Sequence, residues 1–322
     1  MAEKDYQTYE LIHTQSDVSA LLEDVLKTKV AVVERINYGE VNAVYSIQAD
    51  DDKYILKVAP YGRGKNNLLQ EAWAFTKCRS VGVPVPEVVG VDSSLRRFPE
   101  AYLLTKKIPG TPGGEIKFTD EDAIDLMHQL GHNLYLIHSI TVSGFGEIDQ
   151  IGGQFRGIHD TLWQSVISDF ESSWWVDVLT AHGLISIEDL EKYREVLEKH
   201  KDLFSLETAS LTHGDIGPRN LIMEGNKIVG IVDMENVLAT DPVRDFHWFG
   251  YWIKGSQRLK ALQDGYDNKN LFDNDFLLKM RLYQIIHSLL ALAYYQSRNN
   301  ITALNYLQGK IREADQFLGL LT

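Results

Sequence analysis

Cysteine is nearly absent from this chain. Cys78 is the single thiol in 322 residues, which excludes an intramolecular disulfide framework and favours a reducing compartment. Its neighbours mark it as a helix-packing residue and not a nucleophile. Uninterrupted apolar runs are missing too, since none approaches the ~18 residues of a membrane span. The first residues, Met1-Ala2-Glu3-Lys4-Asp5, have no basic stretch leading into an apolar core. A cytoplasmic protein without a membrane partner is the expectation. No internal repeat, low-complexity tract or basic arm is present.

Positive charge is also in short supply, with 32 Lys+Arg against 45 Asp+Glu and a net charge of −13. The first 100 residues hold 12 of the basic and 15 of the acidic residues, so most of the excess lies beyond them. Nucleic acid, which needs a basic footprint, is therefore not an expected partner, whereas a polycationic small molecule would be attracted. Solubility alone accounts for many acidic proteins, so the charge is compatible with such a molecule without selecting it. The remainder is ordinary for a globular chain, 44% hydrophobic and 24% charged, and long enough to bury a core in two lobes.

One stretch carries the chemistry. His213-Gly214-Asp215-Ile216-Gly217-Pro218-Arg219-Asn220 is followed by an apolar segment ending at Asp233. In phosphoryl-transfer sites an Asp orients and deprotonates the acceptor hydroxyl, while an Asn five residues later and an Asp beyond the next strand hold Mg²⁺ on the nucleotide phosphates. Asp215, Asn220 and Asp233 have that spacing. Ala209–Thr212 reads as a strand leading in, and Leu221–Met223 and Ile228–Val232 read as a hairpin turning at Glu224–Lys227, which returns Asp233 beside Asn220. Each residue alone has a plainer reading, because Asp and Asn in Gly/Pro-rich loops often cap turns. The full spacing makes that reading hard to sustain.

A nucleotide clamp is expected upstream. Val30–Glu34 and Asn42–Gln48 read as strands around Ile36–Asn42, where Gly39 marks the turn that would cover the phosphates; alone it is also a common hairpin glycine. Tyr54–Val58 is an apolar strand with one Lys, Lys57, positioned to contact the α- and β-phosphates. Between Lys57 and Glu87 the only acidic residue is Glu71, within a segment of helical period at 68–75, so Glu71 is the candidate ion-pair partner of Lys57. Gly62-Arg63-Gly64-Lys65 lacks the spacing of a phosphate loop.

These motifs resemble the aminoglycoside phosphotransferase and choline kinase group of small-molecule kinases. His213–Asn220 is similar to its catalytic loop, Ile231–Glu235 to its metal-binding segment, and Asp241–Phe246 to the run that follows it. The resemblance spans roughly residues 30–252 and implies an α+β, bilobal, protein-kinase-like fold. A small antiparallel-sheet lobe with one helix is expected over 1–107, and a mainly helical catalytic and acceptor lobe over 108–322. It implies Mg²⁺, ATP or GTP as donor, and transfer of the γ-phosphate to a hydroxyl, most readily of an aminoglycoside-type acceptor. By the same resemblance, backbone groups of Lys106 and Ile108 in a hinge at 105–109 would contact the purine, with Thr105 behind it, and Asp245 would be structural.

Acceptor recognition is expected in helical material beyond the hinge. The aromatic stretch 163–183 contains Phe170, Glu171, Trp174, Trp175 and Asp177, and the stretch 246–252 contains Trp248, Tyr251 and Trp252. Rings beside carboxylates can hold a sugar-like cation, although rings at helical spacing are more often core. Glu235 is a further acceptor-side candidate, and Asp315 on the last of the two C-terminal helices, expected at 274–297 and 301–321, is another. His128 and His132 stand four apart but lack the Glu of a zinc helix. A metabolic kinase for choline, homoserine or a sugar-like alcohol fits the same motifs, as does a pseudokinase that binds nucleotide without turnover. A protein kinase fits less well, because Gly214 replaces the usual Arg before Asp215.

Overall fold

The computed structural model describes residues 13–36, 42–59, 65–247 and 256–320. Gly39, Gly62–Gly64, Trp248, Tyr251 and Trp252 lie outside the described residues. The N-terminal lobe is built on a five-stranded antiparallel sheet of β1 (Val30–Ile36), β2 (Ala43–Ala49), β3 (Asp52–Val58), β4 (Val88–Asp92) and β5 (Tyr102–Lys106), in the order β1-β2-β3-β5-β4. Its strands alternate as a sheet with two different faces should. Tyr45, Ile47, Tyr54, Leu56 and Leu104 point into one apolar layer, while Lys57, between Leu56 and Val58, points the other way.

Two helices cover the two faces, where one was expected. The unanticipated helix is α1 (Gln15–Leu26), started by a reciprocal capping box between Thr14 and Asp17. It lays Val18, Leu21 and Leu22 on the outer layer. Helix α2 (Lys65–Ser80) covers the inner face, and its apolar side chains Leu68, Ala72, Phe75 and Cys78 belong to a core that continues into the second lobe. Trp73 packs on Phe155, with ring centroids 5.3 Å apart, and the Cys78 thiol lies 3.7 Å from the Met234 sulfur. Burial pushes the Cys78 thiol up to about 12, which suits a packing residue.

Beyond the hinge come β6 (Thr111–Pro112), α3 (Asp120–His138), β7 (Thr141–Val142), β8 (Phe145–Ile151), β9 (Gln154–His159), α4 (Leu162–Phe170), α5 (Ser173–Ala181) and α6 (Ile187–Lys199). They are followed by β10 (Ala209–Thr212), β11 (Leu221–Glu224), β12 (Lys227–Ile231), β13 (Leu238–Thr240), α7 (Val243–Phe246), α8 (Ser256–Gly265), α9 (Phe276–Ser297) and α10 (Ile301–Leu318). This lobe is less purely helical than the sequence suggested. It contains a second five-stranded sheet, β7-β10-β13-β8-β9, and a three-stranded one, β12-β11-β6. The β8–β9 hairpin turns at Gly152 and Gly153, whose φ values of +60° and +82° suit the tight turn between twisted strands.

The aromatic segment 163–183 contributes Phe170 and Trp175 to the core. Trp175 is fully buried and donates its indole N–H to the Asp169 carbonyl at 2.9 Å, and Phe170 packs against it. Asp315 is also inside, accepting from the Tyr193 hydroxyl at 3.1 Å, which removes it from the acceptor candidates. Helix α9 has the length and apolarity of a membrane span, 22 residues with mean hydropathy 1.3, against the expectation that no segment would; 61% of that window is buried inside the protein.

Candidate active site

The catalytic loop leaves β10 at His213 and is fixed from below by a buried carboxylate. Asp245 accepts from the backbone N–H of His213 at 2.7 Å and of Gly214 at 2.9 Å, and from His138 Nε2 at 3.0 Å. Although burial opposes ionisation, these donors hold the Asp245 carboxyl below its ordinary range. Gly214 has φ +78°, and a Cβ there would lie 2.0 Å from the Asn236 carbonyl oxygen, so the loop requires glycine on two counts. The Asp215 N–H donates to His213 Nδ1 at 3.3 Å. His213 is therefore neutral and donates through Nε2 to the Val232 carbonyl at 3.1 Å. This ring couples the catalytic loop to the segment bearing Asp233.

Asp215, Asn220 and Asp233 converge. A short 3₁₀ turn at Pro218–Asn220 brings the Asn220 amide back to donate to the Asp215 carbonyl at 2.7 Å and, at 3.4 Å, to its carboxylate. The β11–β12 hairpin then returns the chain, with Val232 N–H bonded to the Asn220 carbonyl at 2.9 Å. Asp233 follows with φ +66°, a strained value for a non-glycine residue that persists only where neighbours determine it. Burial raises Asp215 to about 6, the Arg219 charge and the Asn220 hydrogen bond offsetting it only partly.

Lys57 meets both lobes. Its ammonium lies 2.8 and 3.0 Å from the two oxygens of Glu71 and 2.7 Å from Asp233. Glu71 is fully buried and also accepts from the Met234 N–H at 3.2 Å. Burial would lower the Lys57 pKa, but Glu71, Asp233 and Glu235 together hold it above the ordinary lysine range. For Glu71, burial outweighs Lys57 and raises the carboxyl, since three carboxylates share one ammonium. Burial likewise opposes ionisation of Asp233, yet Lys57 brings its carboxyl below the ordinary range.

Glu235 joins this group. One carboxylate oxygen from each of Glu235, Glu71 and Asp233 lies within 4.8 Å of the others, and burial raises the Glu235 pKa to about 7. Glu235 accepts from the Asn42 amide at 2.7 Å. A set of clustered carboxylates is the hard, all-oxygen donor chemistry that suits Mg²⁺. Since the Asn220 NH₂ is spent on Asp215, its Oδ1 is left as the available donor atom.

At the hinge, the Lys106 N–H is committed to the Glu87 carbonyl at 2.9 Å, leaving its carbonyl for a ligand. The Ile108 N–H has no partner among the described residues. Thr105 is buried beside β3, its hydroxyl 3.5 Å from the Ile55 carbonyl. Asp177 is exposed on α5, and no described contact joins it to the cleft. His132 pairs with Asp267 at 3.0 Å on the surface. Sequence reasoning did not assign a role to Asn42 or Arg219. Arg219, one residue before Asn220, was readable as a cation inside the motif, whereas Asn42 reaches the site from 193 residues away from its partner.

Solved structures share this fold, although no curated protein matches the sequence. The apo form of a thermostable mutant of aminoglycoside phosphotransferase APH(4)-Ia aligns over 92% of this chain and 98% of its own, with TM-score 0.71 and 15% identity. A further variant of that thermostable mutant is known in ternary complex with AMP-PNP and hygromycin B. A protein from Thermobifida fusca YX-ER1 assigned as a fructosamine-3-kinase aligns over 92% and 98%, with TM-score 0.68 and 18% identity. The ADP-bound aminoglycoside phosphotransferase APH(2'')-Ib covers 95% and 99%, with TM-score 0.66 and 17% identity. A family model described as the phosphotransferase enzyme family matches residues 32–277, and this chain belongs to that family of protein-kinase-like small-molecule phosphotransferases.

Proposed function

We propose that this chain is a Mg²⁺-dependent O-phosphotransferase that moves the γ-phosphate of ATP to a hydroxyl of an amine-bearing, polyhydroxylated small molecule. The observation that carries the reading is the convergence of Asp215, Asn220, Asp233 and Lys57 from three separate segments onto one cleft. Asp215 takes the proton of the attacking hydroxyl as its oxygen bonds to the γ-phosphorus, and the bond to the nucleoside diphosphate breaks. Its raised pKa, about 6, leaves it ionised at neutral pH while making it a better base than a solvated Asp. Lys57, with its charge fixed between the lobes, orients the α- and β-phosphates without reorganising during transfer.

Asn220, Asp233 and Glu235 are the residues that would hold the metal. When bound there, Mg²⁺ neutralises charge on the phosphate oxygens. The hinge supports adenine as the base. A carbonyl at Lys106 and an N–H at Ile108 complement the amino donor and ring-nitrogen acceptor of adenine, and oppose guanine, whose edge reverses that order. For the acceptor, support comes from the net charge of −13, which suits a cation, and from the aminoglycoside and fructosamine kinases among the similar folds.

The test is nucleoside-diphosphate release by the purified protein with Mg²⁺ and ATP or GTP, across aminoglycosides, aminated sugars and plain alcohols such as choline and homoserine, with Asp215→Asn as the blank. Stimulation by amine-bearing polyols with ATP is the expected result. Stimulation only by plain alcohols would replace the acceptor class. Nucleotide binding with no turnover across the panel would favour a nucleotide sensor.

A further inference from the structure

The segment Asp233–Val237 is held by side chains that come from the other lobe. Lys57 of β3 donates to Asp233, Glu71 of α2 accepts from the Met234 N–H, and Gln70 of α2 donates to the Val237 carbonyl at 2.8 Å. The fourth tether is Asn42, immediately before β2, whose Nδ2 donates to Glu235 Oε2 at 2.7 Å. It differs from the others in addressing the one carboxylate that Lys57 cannot serve. An ammonium has three N–H donors, and Lys57 spends them on Glu71 Oε1, Glu71 Oε2 and Asp233 Oδ1.

The orientation of the Asn42 amide is settled by the contact itself. With Glu235 ionised, as a metal ligand is, turning it over would set Oδ1 against a carboxylate oxygen, so the NH₂ faces Glu235. Asn42 Oδ1 is buried and has no partner among the described residues.

Building on the phosphotransferase reading above, we propose that Asn42 is a positioning residue for the metal centre. By donating to Oε2 it holds the Glu235 carboxylate beside Asp233 as a metal ligand, and it makes the residue immediately before β2 part of the support of that site. Outer-shell partners of ligating carboxylates ordinarily matter about 10–100-fold in metal affinity.

The experiment follows the melting temperature of the unlabelled full chain during Mg²⁺ titration at a fixed concentration of AMP-PNP, and separately with AMP-PNP in EDTA. Wild type, Asn42→Ala, Glu235→Ala and the double variant form the cycle. Asn42→Ala is expected to raise the half-saturating Mg²⁺ concentration about tenfold, to leave metal-free nucleotide binding within about twofold, and to add nothing in the Glu235→Ala background. An unchanged Mg²⁺ midpoint, or the same loss in both backgrounds, overturns the assignment. Asn42→Ser, which keeps a donor on a shorter stem, should lie between wild type and Asn42→Ala, and serves if Asn42→Ala does not fold. A wild type that shows no Mg²⁺-dependent shift would instead sink the phosphotransferase reading itself, and this inference with it.

Discussion

Replacing Lys57 by Met removes a charge from a pair whose other member cannot reach water. The Glu71 side chain has no exposure, whereas Asp233 keeps 37% of its own. Breaking a buried pair from one side costs roughly 3–5 kcal/mol. Two features place this case at the lower end, about 3 kcal/mol at pH 8: Glu71 keeps the Met234 N–H, and Asp233 is partly solvated. Protonation of Glu71 provides an escape. Its folded-state pKa is already raised by burial, and loss of Lys57 raises it further. A raised acid contributes stability below its unfolded pKa and loses it as pH climbs through the folded value. The Lys57→Met protein should therefore be least stable at pH 8 and recover to within about 1 kcal/mol of wild type near pH 5. Urea unfolding followed by tryptophan fluorescence from pH 5 to 8 measures this. Lys57→Met/Glu71→Gln should regain most of the loss and abolish the added pH dependence. A Lys57→Met loss independent of pH, or no recovery in the double variant, would refute the account.

Other outcomes are equally specific. Gly214→Ala should cost about 2 kcal/mol or more in urea unfolding and lose most turnover, because the new Cβ meets the Asn236 carbonyl at 2.0 Å in a left-handed backbone. Asp245→Ala should cost about 3 kcal/mol or more by the same measurement, since it strands two backbone donors and His138. The rate constant kcat/KM should be intact above pH 6 and fall about tenfold per unit below it, as Asp215, with its pKa near about 6, must be ionised to accept a proton. Asp315→Asn should leave the acceptor KM within about twofold, because Tyr193, not the cleft, is its partner.

What the sequence revealed was the local part of the site. Asp215 and Asn220 lie five residues apart in a loop whose glycines and proline mark its turns, and Asp233 returns on a hairpin with its own turn signal. Lys57–Glu71 was accessible by elimination, there being one acid in reach. Contacts such as Asn42–Glu235 and His138–Asp245 were beyond such reading, since no spacing rule joins residues from different elements at that separation. Helix α1 carried a legible Thr14-x-x-Asp17 cap, but only three of its residues, Val18, Leu21 and Leu22, are buried. The short strands β7 and β13, of two and three residues, are too brief for periodicity. Trp175 and Asp315 were drawn toward the acceptor by residue type, and only packing shows that both are inside.

The α2 core is continuous with the second lobe and with the sheet above it. Trp73 on Phe155, Cys78 on Met234 and Gln70 on Val237 bind α2 to the lower lobe, and Ala59 and Leu103 on the sheet side share its apolar cluster, so parting the helix from either neighbour would expose apolar area. Lys57 stands on the sheet, with Glu71 on the helix and Asp233 on the lower lobe. One ammonium thus ties all three bodies, and a displacement of the sheet would stretch its bonds.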